Sequence, residues 1–213
     1  TDETSWCRET YGCTPLEYAD RLGWTGPDVW FAHGIHFDDA EIKHLGGTGT
    51  GVAHCPSSNA RLGAGTARTA DLRAAGSPVG LGVDGAASNE AGSLVEELRH
   101  ALLFARARGG PQALTVRDAL EMATLDGARI LGRSDNIGSL ETGKLADLAV
   151  WDLTGLPHAG IPDPIAALAL STPPPLALLL SNGRPVVQNG VLQTADEPAL
   201  AAATARVQAD LLS

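Results

Sequence analysis

The sequence predicts an α/β protein built on a parallel sheet and followed by a smaller antiparallel β module. Between Asp28 and about Gly110 short apolar runs alternate with helical patterns; from Ile137 onward the chain turns strand-rich, with tight-turn signals; and each early apolar run ends on a residue able to bind a metal or move a proton. Repeated strand-helix alternation argues for parallel pairing, because parallel neighbours need a long crossover between them.

The first unit is VWFAH, Val29 to His33, followed by DDAEIKHL. The second is GVAHC, Gly51 to Cys55, followed by ARTADLRAAG, and the third is VGLGVD, Val79 to Asp84, followed by SLVEELRHALLFARA. In the third helix Leu94, Leu98 and Leu102 recur every fourth residue as one apolar stripe facing a sheet, and Gly109-Gly110 ends it. A further helix starts at Thr115, whose hydroxyl caps it with Asp118 three residues on, and runs through Leu120 and Met122 towards Ile130. Beyond it, Ile137 to Asp152 is expected to pair with Leu176 to Gln193 in one antiparallel sheet, with tight primed turns at Asn182-Gly183 and Asn189-Gly190. Asp163 to Pro175 reads as a proline-rich connector, and Glu197 to Leu212 as an alanine-rich amphipathic helix that packs back.

Composition narrows the function classes. The chain has 213 residues, 44% apolar and 4% aromatic, enough to bury a substantial core. A formal charge of -10 and a pI near 4.9 repel phosphate backbones and anionic lipid, so neither nucleic acid nor a membrane is an expected partner. No stretch reaches the ~18 apolar residues of a membrane span. Cys7, Cys13 and Cys55 are an odd set without CxxC spacing, which indicates neither a disulfide framework nor a zinc finger and makes a reducing cytoplasm the expected location. The chain opens TDETSW without a methionine, so it need not show its true start.

In parallel α/β folds reactive groups gather at the carboxyl ends of strands. Here those ends carry His33, His54-Cys55 and Asp84. Taken singly, a strand-end histidine is more often structural and an aspartate before glycine is an ordinary turn former; three in succession at the same end make a site the better reading. An HxxH pair of His33 with His36 is the weaker alternative, since the strand has ended by His36. His44 and His158 read as surface or cap residues, His100 as part of a helix face. Cys55 has nothing basic placed beside it that would make it a nucleophile. A strand-end carboxylate can ligate a metal and take a proton from water, while a nearby imidazole can steady developing charge; together they suit metal-assisted hydrolysis. One carboxylate cannot hold a divalent ion alone, because catalytic zinc normally takes three protein ligands.

AHGIH, AHCPSSNARLGAG, GLGVDGAASNE and the later GSLETGKLADLAVWD together resemble the carboxyl-terminal half of the amidohydrolase superfamily. Within it they are most similar to the aminohydrolase branch that includes 8-oxoguanine deaminase, guanine deaminase and the triazine hydrolases. The resemblance implies strands six to eight of a (β/α)8 barrel plus a small composite β-sandwich. The segments are then 1-135 for the partial barrel, 136-195 for the sandwich and 196-213 for a terminal helix. It also implies a catalytic and metal-binding His33 and Asp84, and substrate contact from Ser88. His54, Cys55 and Asn59 would form the rim after the middle strand, with His54 and Asn59 as candidate substrate contacts; the other reading of Pro56 to Asn59 is a turn whose side chains bond their own backbone. The family's HxH pair, strand-five histidine and catalytic glutamate would lie upstream of Thr1, so the chain is expected to be a fragment, inactive alone, with an uncovered edge along Val29 to Ala32. The implied reaction is hydrolytic deamination of a purine-like base, 8-oxoguanine or guanine, with one divalent ion, zinc or else iron. The small-molecule partner is a heterocyclic amine, and the full-length protein is expected to be a homo-oligomer. A triazine hydrolase, an adenosine-type nucleoside deaminase or an inactive fragment are the alternatives; a cytidine-deaminase zinc site is excluded by the lack of HxE and PCxxC.

Overall fold

The structure, a computed structural model, describes residues 2–212. The expected place of Thr1 and the last position of the terminal helix, Ser213, lie outside the described residues. The chain divides into two compact units, the first ending at Ser139 and the second starting at Leu140.

The first unit runs α1 (Asp2–Tyr11), α2 (Pro15–Arg21), β1 (Trp30–Ala32), α3 (Asp39–Thr48), β2 (Gly51–His54), α4 (Pro56–Arg61), α5 (Thr69–Ala75), β3 (Val79–Leu81), α6 (Leu94–Gly109), α7 (Val116–Ala123) and α8 (Leu125–Ile130). The three strands form one parallel sheet in the order β1-β2-β3, with Phe31 opposite Val52 and Ala53 opposite Gly80. All four residues of the central strand are buried, as expected where both faces of a parallel sheet are covered. The core beneath is built from Leu45, Val52, Leu72, Val79, Leu98, Leu102 and Met122, none more than 2% exposed.

Local chemistry sets the helix ends. Asp38 and Glu41 form a reciprocal capping box at the start of α3, Thr14 and Glu17 another at α2, and Thr115 and Asp118 a third at α7. The helices α1 and α2 occupy a stretch to which the sequence analysis assigned no element, although TPLE carries both the cap and a proline at the first helical position. The helix expected from Thr115 to Ile130 is broken at Thr124, with φ -132° and ψ -88°. The break lets α8 lie across the sheet: Cβ atoms added at Gly51 and Gly80 would come within 2.7 and 2.8 Å of Ile130. In α6 the expected leucine stripe is offset. Leu98 and Leu102 are buried but Leu94 is 40% exposed, and Glu97 takes a place on the buried face.

The second unit contains β4 (Leu148–Trp151), α9 (Pro164–Leu170), β5 (Leu176–Ser181), β6 (Arg184–Gln188), β7 (Val191–Leu192) and α10 (Glu197–Leu212). Its sheet is antiparallel in the order β4-β5-β6-β7. Only the end of the Ile137 to Asp152 segment forms a strand. Asn182 and Gly183, at φ 48° and 75°, turn β5 into β6, and Asn189 and Gly190 turn β6 into β7. The expected connector from Asp163 to Pro175 holds α9 instead, because Pro164 sits at the first helical position, where its missing N–H is harmless, and the Asp163 carboxylate accepts from Ile165 N–H. His158, expected at the surface, is 5% exposed with Nε2 donating to the Thr172 carbonyl at 3.0 Å. The helix α10 forms as expected, but none of its residues is buried.

The helices α3 and α5 approach closely at Gly46, where an added Cβ would meet the Ala75 carbonyl oxygen at 2.0 Å. Gly46→Ala should therefore destabilise the protein by roughly 2 kcal/mol or more in urea unfolding. Gly47→Ala, with nothing within 4 Å, should be neutral or stabilising; equal effects at the two glycines would refute this account of the α3–α5 contact.

Candidate active site

The parallel sheet delivers its strand ends to one edge, and two residues there adopt a backbone conformation that side chains disfavour. His33 follows β1 at φ 67° while its N–H still donates to Ala53 O at 2.8 Å. Asp84 stands three residues beyond β3, at φ 63°, after Gly82 N–H has donated to His54 O at 2.9 Å. Left-handed conformations outside glycine cost on the order of 1 kcal/mol each and cluster at functional sites.

The two side chains meet. His33 Nε2 lies 3.7 Å from Asp84 Oδ2, with about a third of each side chain exposed. The other imidazole nitrogen, Nδ1, is 2.8 Å from the Asn59 amide oxygen. That oxygen can only accept, so Nδ1 carries a proton and Nε2 is the ring atom turned to the Asp84 side. With Nε2 bare, His33 can ligate a cation or accept a proton; with Nε2 protonated, it can steady negative charge. Asp84 Oδ2 accepts from Ser58 Oγ at 2.6 Å and from Ser88 Oγ at 3.2 Å. The Ser58 hydroxyl, then the Gly85 amide, hold its carboxyl below the usual aspartate range, and so the group is anionic at neutral pH.

Ser58 and Asn59 lie on α4, 0% and 2% exposed. The alternative of a self-bonded turn at Pro56 to Asn59 therefore gives way to a helix whose first turn reaches outward to both site residues. Ser58 was quoted within HCPSSN but given no role; its only signal was its place one residue before Asn59, directly after the middle strand. Asn59 Nδ2 is buried without a protein partner among the described residues. The expectation for His54 needs correction: it is 1% exposed inside β2, where every residue is covered, and does not stand on a rim. Burial, helped by the neighbouring His33, pushes its pKa down to about 4. Burial likewise raises the Cys55 thiol to about 11, which keeps it protonated and unreactive.

A cavity of about 440 Å³ opens beside His33, walled by Ile35, His36, Phe37, Asn59 and Leu62 among others, with Asp84 outside its wall. His44 bonds Asp20 at 3.0 Å, away from this edge. His33 and Asp84 offer one nitrogen and one carboxylate donor to a divalent ion, but no group of three His, Cys, Asp or Glu side chains converges among the described residues. These residues therefore do not make a complete metal site by themselves. Nor, among the described residues, is any helix long and apolar enough to cross a membrane.

Residues 1–186 match the amidohydrolase family. The chain belongs to this family. An 8-oxoguanine deaminase from Pseudomonas aeruginosa is 46% identical to this amidohydrolase chain over 201 residues, 94% of the chain and 44% of that protein. An adenosine deaminase from Xanthomonas campestris, solved with bound zinc, matches at a TM-score of 0.94 and 32% identity, covering 99% of this chain and 48% of that one. Atrazine chlorohydrolase from Arthrobacter aurescens, complexed with zinc, matches at 0.90 and 34% identity over 96% and 46%. The chain spans somewhat under half the length of these relatives.

The buried His54 sets a pH dependence. Its folded pKa near 4 lies below the ordinary histidine value of 6.5, so protons bind the unfolded chain first. Stability is then complete above pH 6.5, falls as pH drops towards 4 with a slope of roughly 1.4 kcal/mol per pH unit, and levels off below. Urea unfolding of the wild type against His54→Gln across this window should show the stability difference shifting with that slope; a flat difference would place a proton on His54 in the folded state.

Proposed function

We propose that the chain supplies strands six to eight of a (β/α)8 barrel. Completed by the other strands, this barrel is a metal-dependent hydrolytic deaminase acting on a purine-like base, 8-oxoguanine or guanine. The observation that carries this reading is the meeting of an ionised Asp84 with Nε2 of His33 at the edge where the parallel strands end. Likeness to an 8-oxoguanine deaminase over nearly the whole chain supports the choice of substrate.

Zinc, named in the structures of two relatives, would supply Lewis acidity at this edge, with His33 and Asp84 giving two of its donors. Asn59 holds the His33 ring so that Nε2 faces Asp84. Asp84 accepts the proton that water loses as its oxygen bonds to the ring carbon bearing the amine. The same carboxyl then returns this proton to the departing nitrogen and ammonia leaves, while the second water proton passes to the adjacent ring nitrogen, so that the ring carries a carbonyl beside an N–H. Ser58 and Ser88, both bonded to Oδ2, keep the carboxylate oriented between these two transfers. Ser88, on the loop after Asp84, and Asn59, in the cavity wall, are the proposed substrate contacts.

The test is ammonia release by the protein carrying this chain within a complete barrel, with zinc supplied, from 8-oxoguanine, guanine, adenosine and an amino-substituted triazine. Turnover of 8-oxoguanine or guanine is expected, and Asp84→Asn should lower kcat by about 10²- to 10⁴-fold. Turnover of adenosine or the triazine alone would move the substrate assignment while keeping Asp84 as the proton carrier. Unchanged turnover in Asp84→Asn would end the mechanism.

A further inference from the structure

Glu97 lies in the first turn of α6 and is 1% exposed, yet it is hydrogen-bonded to neither His33 nor Asp84. Its two oxygens grip two different segments. Oε2 accepts from the Ser57 backbone N–H at 3.0 Å, and Oε1 accepts from Asn89 Nδ2 at 3.0 Å. The second Asn89 amide proton goes to the Val83 carbonyl at 2.9 Å. Each segment held in this way adjoins a member of the site. Ser57 precedes Ser58, Val83 precedes Asp84 and Asn89 follows Ser88. One turn further along α6, His100 Nδ1 lies 2.7 Å from Ser57 Oγ and grips the start of α4 a second time.

We infer that Glu97 is a positioning residue: through Ser57 and Asn89 it sets both hydroxyls, Ser58 and Ser88, against the Asp84 carboxylate. The geometry asks for an acceptor at both ends of this side chain. A carboxylate offers acceptors on both oxygens, whereas an amide of the same shape offers one acceptor and a pair of donors, so it must abandon either the Ser57 N–H or the Asn89 amide. The base on which Glu97 stands is rigid, since α6 spans 16 residues and buries Leu98, Ala101, Leu102 and Ala105 along the same helix. A donor set aimed from such a base holds the carboxylate within the narrow angular range that proton transfer requires.

The inference rests on the proposed deaminase only for its kinetic test; its structural test stands alone. In a crystal structure of Glu97→Gln, the Ser58 or the Ser88 hydroxyl should move beyond about 3.5 Å from Asp84 Oδ2. Asn89→Ala is the second variant. It leaves Ser57 bound to Glu97, so Ser58 should stay on Asp84 while Ser88 leaves it. Persistence of all these contacts in both variants overturns the inference, whether or not any substrate is turned over. In the complete enzyme, Glu97→Gln should lower kcat by about ten- to a hundredfold with KM nearly unchanged. Placed on top of Ser58→Ala and Ser88→Ala it should add almost nothing, because all three act through one contact set. Glu96→Gln, on the neighbouring position, should match the wild type. Effects that simply multiply would mean that Glu97 only stabilises the fold, and overturn the assignment.

Discussion

Three consecutive residues at the start of α4 hold the edge of the sheet together. Ser57 is tied to α6 through Glu97 and His100, Ser58 donates to Asp84 beyond β3, and Asn59 fixes the ring of His33 beyond β1. A helix that begins immediately after a buried strand projects its first side chains outward over the strand ends, and a proline at its first position starts it without an orphaned N–H. Because α4 follows the central strand, it reaches the residues beyond both neighbouring strands at once. Hydrogen bonds to a charged group are worth about 1.5–3 kcal/mol each, so the Ser58 contact to Asp84 is of a size to offset the left-handed backbone on which Asp84 sits.

The parts of this arrangement that sequence made legible are those governed by local rules. Strand-helix alternation located β1, β2 and β3, and the paired Asn-Gly turns located the hairpins, because positive φ has few residue types to serve it. His33 and Asp84 stood out since a polar residue closing an apolar run is conspicuous. What stayed hidden depended on tertiary context. A strand buried on both faces has no alternation, so nothing in GVAH revealed that His54 points into the interior. Glu97 was invisible for the opposite reason. Helical periodicity assigns charged residues to the solvent face, whereas here Leu94 is exposed and the carboxylate is inside, satisfied by a backbone N–H and an amide that no spacing rule connects to it. Prolines misled in Asp163 to Pro175 because the same residue that breaks a helix interior begins a helix well.

The comparisons set the edge in proportion. A fold shared with an adenosine deaminase and an atrazine chlorohydrolase does not select a substrate, since sites on one scaffold serve several chemistries. In the proposed reaction the groups at this edge would act on water and protons, which any hydrolysis at a ring carbon has in common. Under that reading, discrimination between rings would fall to the cavity beside His33, whose walls include the apolar Ile35, Phe37 and Leu62 together with the polar His36 and Asn59. Apolar walls of that kind tolerate related flat heterocycles, and only a few directed polar groups separate one from another.

The backbone angles at His33 and Asp84 also limit which residues could ever replace them. Asparagine and aspartate visit the left-handed region most readily after glycine, so an Asn at position 84 keeps the loop while removing only the charge. A β-branched residue there would force the loop itself to rearrange, and a valine or isoleucine variant would report on the backbone rather than on the carboxylate. At position 33 asparagine is again the tolerant choice, one that also keeps a side-chain amide within this polar edge. A family member drifting from its ancestral chemistry would thus pass through a very small alphabet at these two positions, and catalytic identity would be conserved in part by the geometry of the main chain.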